Sequence, residues 1–434
     1  MALRRKKTRP SAVWLLFALA SCGDPSGPGP LGDPVEPITE LPRALTASEA
    51  EVISRSNAFG FELSRHVVAH EGRPNVVLSP LSATMALGMT LNGAAGTTHD
   101  AMRSALALDG MTDEEINESY RGLLDLLTSL DPSVQLSIAN AVWSNEDVEF
   151  HPAFFNAVRT AFDAAVESRD FADPGTLDEV NAWVAEQTHG KIEKILDELD
   201  PDLVMLLLNA IWFDGRWTTQ FDASATRQGL FHLDDGSTVN VDMMETEAST
   251  FPLAAGSDWI AAELPYGGGA WSMVVVVPQG DRTAREMFGQ LDPDGWEDIV
   301  GNLFPMDVDL LSIPRFTLEY DAFLNRALAT MGMEIAFGPA ADFTRLSPIG
   351  DRLCIDFVRQ KTFIEVDEAG TRAAAVTAVG IGIESLGPTE FVADRPFLFA
   401  LRERLSGTIL FMGLVQDPTF RGAPPEPFAG RCHG

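Results

Sequence analysis

The 434-residue sequence predicts a fold that contains both α-helices and β-strands, because segments of strand composition and segments of helical periodicity both occur along it. Lys361–Val366 and Phe397–Leu401 are short runs of mainly aromatic and aliphatic residues, as strands are. Ser48–Ala69 instead repeats its apolar residues at near-helical spacing. The hydrophobic content of 45% is ample for a large core, although the length alone would suggest two or three domains.

Three helices are predicted, over residues 48–69, 81–95 and 177–188. Thr46 or Ser48 caps the first, since a hydroxyl side chain accepts a hydrogen bond from a free N–H group at a helix start. Pro80 suits the first turn of the second helix, and Gly190 is a typical stop signal after the third. His189, beside that stop, is expected to be structural rather than catalytic.

Two further strand predictions come from apolar runs and a glycine cluster. Leu203–Phe213 is nearly continuously apolar, which is typical of a strand buried on both faces. It contains Asn209, and a buried amide without hydrogen-bond partners costs about 1–3 kcal/mol. Gly267–Gly269 precedes the strand-like run Met273–Val277, so a hairpin turn is expected there.

Glu365–Leu386 has the composition of a strand although it lies where a loop would connect two strands. From Gly370 to Gly382 it lacks Pro, Asn, Asp and Ser, which dominate ordinary loops. With period-two alternation, one face is small or apolar and consists of Thr371, Ala373, Ala375, Thr377, Val379 and Ile381. The only charge, on Arg372, lies on the other face. We interpret the segment as a strand held outside its sheet with Gly370 as its hinge; a plain central strand or an Ala-rich helix remains open.

This hinge region resembles that of the serpins, a family of suicide protease inhibitors, and other serpin-like motifs follow the family's order. The motifs are Asn75–Ser82, Val180–Ile192, Leu208–Trp217, Glu263–Tyr266, Leu311–Phe316, Glu368–Ala375, Ala393–Phe399 and Gly407–Gly413. Several long motifs in order are far more specific than one alone. The resemblance therefore assigns residues 46–418 to a single serpin domain and leaves 419–434 as a C-terminal tail.

The resemblance implies an α+β serpin fold, with mixed β-sheets, a large central sheet surrounded by about eight or nine helices, and an exposed reactive-centre loop. After cleavage by a protease, residues 370–383 would insert into the central sheet. The hinge and inserting loop would contain Glu368, Gly370, Thr371, Ala373, Ala374, Ala375 and Thr377. The shutter, a polar cluster beneath the point where the sheet parts, would contain Ser79, Ser82, Asn209 and Gln360, and Trp217 would mark the breach at the top of the sheet. Many serpins have His at the position of Gln360. Because the glutamine amide does not titrate, pH sensing at this position is excluded.

The serpin register places the cleaved bond at Glu384-Ser385, which predicts a serine protease that prefers glutamate. A shifted register would use Ile383 or Leu386 and would suit elastase-, subtilisin- or chymotrypsin-like enzymes. Trypsin-like targets are not expected, because no Lys or Arg lies near this bond, whereas cysteine proteases stay open. A non-inhibitory serpin acting as a binding or scaffold protein is the alternative function. A surface hydrolase on another fold is a third hypothesis.

No enzyme or cofactor motif supports that third hypothesis. The sequence contains no G-x-S-x-G elbow, no H-E-x-x-H and no P-loop. No spacing among its residues suggests a metal site, and no cofactor is expected. The chain is predicted to be a monomer that is not an enzyme.

The N-terminus resembles the signal peptide of a bacterial lipoprotein. Residues 1–21 combine a basic start with a short apolar run, and Leu19–Cys22 looks like a lipobox in which Cys22 is lipidated. A plain secretory signal is the alternative. Gly23 in place of Asp favours the outer membrane or cell surface over the inner membrane, and otherwise a periplasmic or extracellular location is expected. Residues 22–45 are rich in Pro, Gly and Asp and are predicted to be a tether.

The formal net charge of −32 restricts the partners that the chain can bind. Such a surface repels nucleic acid, anionic headgroups and sulfated polysaccharides. We therefore expect no nucleic acid partner, and membrane attachment only through the N-terminal lipid. In an oxidising compartment Cys354 and Cys432 could form a disulfide, a pairing that the sequence leaves open.

Overall fold

The computed structural model describes residues 36–370 and 389–425. These described residues belong to one compact unit. The predictions for the signal peptide, for Cys22 and for the end of the tail lie outside the described residues. So do those for the loop residues Thr371, Ala373, Ala374, Ala375, Thr377, Glu384 and Ser385. In the part that is described, no helix is sufficiently long and apolar to cross a bilayer.

Nine α-helices occur among the described residues. They are α1 (Ala47–Val68), α2 (Pro80–Leu91), α3 (Gly96–Ala105), α4 (Asp113–Ser129), α5 (Pro152–Phe162), α6 (Pro174–Gln187), α7 (Ala284–Gln290), α8 (Pro293–Gly301) and α9 (Asn325–Leu328). Thr46 caps α1 in a capping box with Glu49. It is one of the two cap residues that the sequence predicted, the other being Ser48. α2 ends at Leu91, earlier than the predicted Ala95, because the chain turns at Asn92 and Gly93.

Fourteen strands are described. They are β1 (Val76–Leu78), β2 (Gln135–Asn145), β3 (Ala165–Arg169), β4 (Met205–Asp214), β5 (Arg227–His232), β6 (Thr238–Ala255), β7 (Trp259–Tyr266), β8 (Trp271–Pro278), β9 (Phe304–Pro314), β10 (Phe316–Phe323), β11 (Arg359–Val366), β12 (Glu390–Val392), β13 (Phe397–Glu403) and β14 (Ile409–Val415). β7 and β8 form the antiparallel hairpin predicted around Gly267–Gly269.

The largest sheet has nine strands and holds the main core. Its order is β1-β14-β13-β8-β7-β6-β9-β12, and β5 pairs with β6 beside this path. β8, β13 and β14 are buried along their whole length, as expected for strands covered on both faces. Helix α1 packs its apolar stripe on this core through Val52, Phe59 and Leu63.

Two smaller sheets position the candidate site. β2 pairs with β3 on one side and with β4 on the other, giving the order β3-β2-β4. β10 and β11 form a separate antiparallel pair. Within the described residues no hydrogen-bonded ladder joins β4 to β11. Among the described residues β4 therefore lies at the edge of its sheet, and much of it is only half-buried, which corrects the prediction of a strand buried on both faces.

Helix α6 covers the three-stranded sheet and has a hydrophobic cluster separate from the main core. The cluster consists of Ala141, Trp143, Phe171, Val180, Leu196, Leu203 and Leu206. Trp143 lies on β2, Val180 on α6 and Leu206 on β4, so the cluster fills the layer between helix and sheet. α6 thus packs on this sheet through its own set of apolar side chains.

The last residues of the predicted tether lie against the domain. The N–H group of Ile38 donates to the carbonyl of Gly268 at 2.7 Å. Arg43 pairs with Glu49 of α1 at 2.7 Å and donates to the carbonyl of Gly122. The sequence assigned these residues to the tether because of their composition. It gives no sign that a carbonyl of the β7–β8 turn is placed to accept a hydrogen bond from Ile38.

One of the two cysteines discussed for a disulfide is described. Cys354, in the loop before β11, is disulfide-bonded. Cys432 lies outside the described residues, so the Cys354–Cys432 pairing remains an expectation.

Candidate functional site at the hinge after β11

The candidate site begins with one edge each of β4 and β11, which no ladder joins to another strand in the part of the chain that is described. A cavity of about 270 Å³ lies beside them. Ile211, Trp212 and Phe213 of β4 and Phe363 and Ile364 of β11 are among its lining residues. Each strand carries backbone N–H and C=O groups along an edge that has no ladder partner among the described residues. The chemistry that such an arrangement offers is pairing with an added strand.

A tight turn ends β11 immediately before the loop. The N–H group of Asp367 donates to the carbonyl of Gly370 at 3.1 Å, and that of Gly370 donates back at 3.2 Å. The Asp367 carboxylate accepts a hydrogen bond from the N–H group of Ala369. Burial raises the pKa of Asp367, and the charges of Glu368 and Glu365 raise it further. The carboxyl groups of Glu365, Asp367 and Glu368 therefore lie close together at the end of β11.

Gly370 fits this turn because it has no side chain. Its φ of 112° lies in the region that favours glycine. A Cβ atom there would come within 2.5 Å of the Gly215 carbonyl oxygen and of the Trp217 nitrogen, both backbone atoms. The backbone of Gly370 also bridges Arg216. The position that the sequence predicts as the hinge is thus one that only glycine can occupy in this conformation.

Trp217 holds the hinge from the side of β4. Its indole N–H donates to the carbonyl of Asp367 at 2.9 Å, and its backbone N–H donates to that of Ala369 at 3.1 Å. The indole stacks on Tyr266 with ring centroids 4.2 Å apart, and the side chain is 2% exposed. Trp217, the residue predicted to mark the breach, therefore bonds directly to the turn that precedes the loop.

Glu368 is held by two side chains that the sequence analysis missed. Its carboxylate accepts hydrogen bonds from the hydroxyl of Thr226 at 2.6 Å and from the guanidinium of Arg315. Burial alone would raise the pKa of Glu368, but the bonds from Thr226 and Arg315 outweigh burial and lower the pKa. No local pattern indicated either pairing, because both partners lie far from Glu368 along the chain.

Replacing this carboxylate tests how strongly it fastens the hinge. We expect Glu368→Gln to lower the free energy of unfolding of the intact chain by about 1–3 kcal/mol at pH 7, since a charge-assisted pair is lost. Because the folded-state pKa of Glu368 is lowered, its contribution is present above its unfolded pKa and is lost as pH falls through the folded value. Denaturant unfolding at pH 7 and pH 3.5 measures this.

The difference between wild type and Glu368→Gln should shrink at the lower pH. Glu390→Gln, at an exposed carboxylate of β12, serves as the matched control and should change stability little at either pH. A deficit of equal size at pH 7 and pH 3.5 would contradict the ionic role of Glu368.

The predicted shutter residues Ser79, Ser82 and Gln360 lie together. The Gln360 side chain accepts from the N–H group of Ser79 at 3.0 Å and donates to the Ser79 carbonyl at 2.9 Å. The Ser79 hydroxyl donates to the carbonyl of Leu410 at 2.6 Å and accepts from the N–H group of Ser82. Ser82 therefore contributes its backbone, as part of the α2 cap. All three residues are buried.

Asn209 belongs to a different pair. Its amide donates to the side-chain oxygen of Asn140 at 2.7 Å, and Asn140 in turn donates to the carbonyl of Phe162 at 2.7 Å. Its own side-chain oxygen is buried without a hydrogen-bond partner among the described residues. The sequence predicted Asn209 within the shutter but missed Asn140, although an Asn inside the apolar strand β2 is the same signal.

The segment after α6 crosses to β11. The ammonium of Lys191 pairs with Glu365 at 2.6 Å, and that of Lys361 donates to the carbonyl of Lys194 at 2.9 Å. His189 stacks on Trp212 with ring centroids 3.9 Å apart, which is the packing role expected from the sequence. No group of three or more acidic, His or Cys residues in ranges 36–370 and 389–425 could hold a metal ion.

Comparison with known proteins decides the family. The family model described as serpin (serine protease inhibitor) matches residues 54–418. This chain is a serpin. An uncharacterized serpin-like protein of Thermococcus kodakarensis is 32% identical over 94% of this chain and 97% of its own length. Intracellular coagulation inhibitor 2 of Tachypleus tridentatus is 32% identical over 83% of this serpin and 90% of its own length.

Solved serpin structures resemble this one along most of its length. Mouse protein-Z dependent protease inhibitor superposes with a TM-score of 0.78 at 25% identity, covering 86% of this serpin and 98% of that chain. Native tengpin, a thermophilic serpin, gives 0.76 at 30% identity over 88% and 97% of the two chains. The predicted α+β serpin fold is confirmed, and the nine described α-helices agree with the expected eight or nine.

Proposed function

We propose that this serpin is a suicide inhibitor that acts by loop cleavage, acyl-enzyme trapping and insertion of residues 370–383 into the gap between β4 and β11. The observation that carries the proposal is that, among the described residues, β4 and β11 each have an edge without a ladder partner, next to a glycine hinge. The family description supports protease inhibition in general, and the name of the Tachypleus relative says that it is an inhibitor.

Strand insertion supplies enough free energy to drive trapping. Roughly a dozen new backbone hydrogen bonds at about 0.5–1.5 kcal/mol each, with added apolar burial, release on the order of 10–20 kcal/mol. A typical protease is stable by about 5–15 kcal/mol. Insertion can therefore deform a tethered protease before the acyl bond hydrolyses, in the way that loop insertion acts as a switch in serpins.

The proposed target is a serine protease that is not trypsin-like. Cleavage at Glu384-Ser385 would select an enzyme that prefers glutamate, whereas the neighbouring registers at Ile383 and Leu386 would select elastase-, subtilisin- or chymotrypsin-like enzymes. N-terminal sequencing of the released fragment identifies the bond. Lipid attachment through Cys22 would hold the inhibitor at the outer membrane or cell surface, where proteases reach it.

A thermal comparison tests the insertion step. After a single cut within residues 382–388, we expect the melting temperature to rise by at least about 10 °C, because insertion adds several kcal/mol to the stability. Calorimetry of intact and cut protein measures the shift. Incubation with a protease panel, read on denaturing gels, should show a covalent complex with at least one serine protease. Equal melting temperatures would refute the proposed trapping mechanism.

A binding role without inhibition is the second candidate. Thyroxine-binding globulin, solved in complex with thyroxine, superposes with a TM-score of 0.76 at 26% identity, so a ligand-carrying protein can share this fold. In that case the cut chain would melt like the intact chain, and no protease would form a covalent complex.

A further inference from the structure

The outer edge of β10 is occupied by a segment from the C-terminal tail. Among the described residues, β10 has a single ladder partner, β11. On its other side, the N–H group of Glu319 donates to the carbonyl of Arg421 at 2.6 Å. Arg421 lies beyond residue 418, where the match to the family model ends. We name Thr419–Pro425 the edge segment.

Asn75 fastens the beginning of the edge segment. Its side-chain amide donates to the carbonyls of Asp417 and Phe420 at 2.7 and 2.8 Å. Its side-chain oxygen accepts from the N–H groups of Gln416 and Asp417. Asn75 is 5% exposed, so these bonds are shielded from water. One buried amide therefore satisfies four backbone groups at the point where the chain leaves β14.

Arg73 fastens the far end. Its guanidinium donates to the carbonyls of Ala423 and Asp321 at 3.0 and 2.8 Å. The same group pairs with Glu71 and lies over the ring of Tyr320, 4.4 Å from the ring centroid. Because Tyr320 and Asp321 belong to β10, Arg73 joins the edge segment to that strand.

Gly422 lets the two backbones approach closely. A Cβ atom at this position would lie 2.5 Å from the carbonyl oxygen of Glu319. A side chain there would therefore push the edge segment away from β10. The fit between Gly422 and Glu319 indicates a dedicated contact along the strand.

We propose that the edge segment is an intramolecular cap that prevents β10 from pairing with a strand of a second copy of this chain. An uncovered strand edge is a template for another chain. The net charge of −32 opposes self-association at long range, but at high ionic strength that repulsion is screened within a few ångströms. The cap then becomes the main barrier at this edge. The inference does not depend on protease inhibition.

Truncation tests the cap. A chain ending at Pro418 should form at least tenfold more oligomer than the full chain at 0.5 M salt, measured by size-exclusion chromatography with light scattering below the melting temperature. A chain ending at Pro425 keeps the edge segment and is the matched control, which should behave like the full chain. A monomeric chain ending at Pro418 would overturn the proposal.

Two more variants separate edge pairing from loss of folding. Glu319→Pro removes the outward N–H group, so adding it to the chain ending at Pro418 should restore the monomer. Gly422→Val in the full chain should raise the oligomer fraction as truncation does. Oligomers that persist with Glu319→Pro would contradict pairing at β10. The monomer fraction of each variant should inhibit protease as the full chain does, so failure of the cap and failure of inhibition are distinguishable.

Discussion

Thr371→Arg should convert the inhibitor into a substrate, lowering the yield of covalent protease complex at least tenfold while loop cleavage continues. Thr371 directly follows Gly370 and begins the small, apolar face of the predicted inserting strand. On insertion, an arginine on that face would have to enter the layer beneath the β4 and β11 edges. An unpaired buried charge is expensive, so insertion would stall after the acyl-enzyme has formed. Densitometry of denaturing gels at equal inhibitor and protease concentrations measures the partition.

Arg372→Ala is the matched control for this change. Arg372 lies on the opposite face of the alternation and is expected to point outward after insertion. Its replacement should leave the complex yield within twofold of wild type. Undiminished complex formation by Thr371→Arg would show that this face does not enter the sheet.

Gln360→Leu is expected to give the second large effect, a loss of about 2–5 kcal/mol in the free energy of unfolding. Gln360 is 6% exposed and bonds both the N–H and the C=O group of Ser79. Leucine has nearly the same volume but leaves both buried groups without partners, each at a cost of about 1–3 kcal/mol. Chemical denaturation of the intact chain measures the loss.

An exposed glutamine provides the comparison. Gln228→Leu, on the outer strand β5, should change stability by less than about 0.5 kcal/mol. If the two substitutions had similar effects, the buried bonds to Ser79 would not be what stabilises the shutter.

Local chemistry made the framework predictable from sequence. The Thr46 cap, the turn at Gly267–Gly269 and the ordered motifs each depend on neighbouring residues, and the structure has the cap, the turn and the serpin fold. The hinge glycine was predicted for the same reason: a glycine between a strand and a strand-like loop signals backbone freedom.

Long-range pairings were not predictable in the same way. The bonds of Glu368 to Thr226 and Arg315, and of Asn209 to Asn140, join residues distant in sequence, and no local pattern specifies such partners. The burial of β4 was also misjudged. An apolar run shows that a strand contacts a core, but how far each face of the strand is buried depends on which elements pack against it.

The separate hydrophobic cluster under α6 has a mechanical consequence. Its buried side chains belong to α6, the adjoining loops and one face of β2 and β4, whereas the nine-stranded sheet has a core of its own. Raising α6 would open only the smaller set of contacts and leave the larger one intact. In the proposed insertion mechanism, α6 would therefore be displaced by breaking this smaller cluster, without disrupting the core of the nine-stranded sheet.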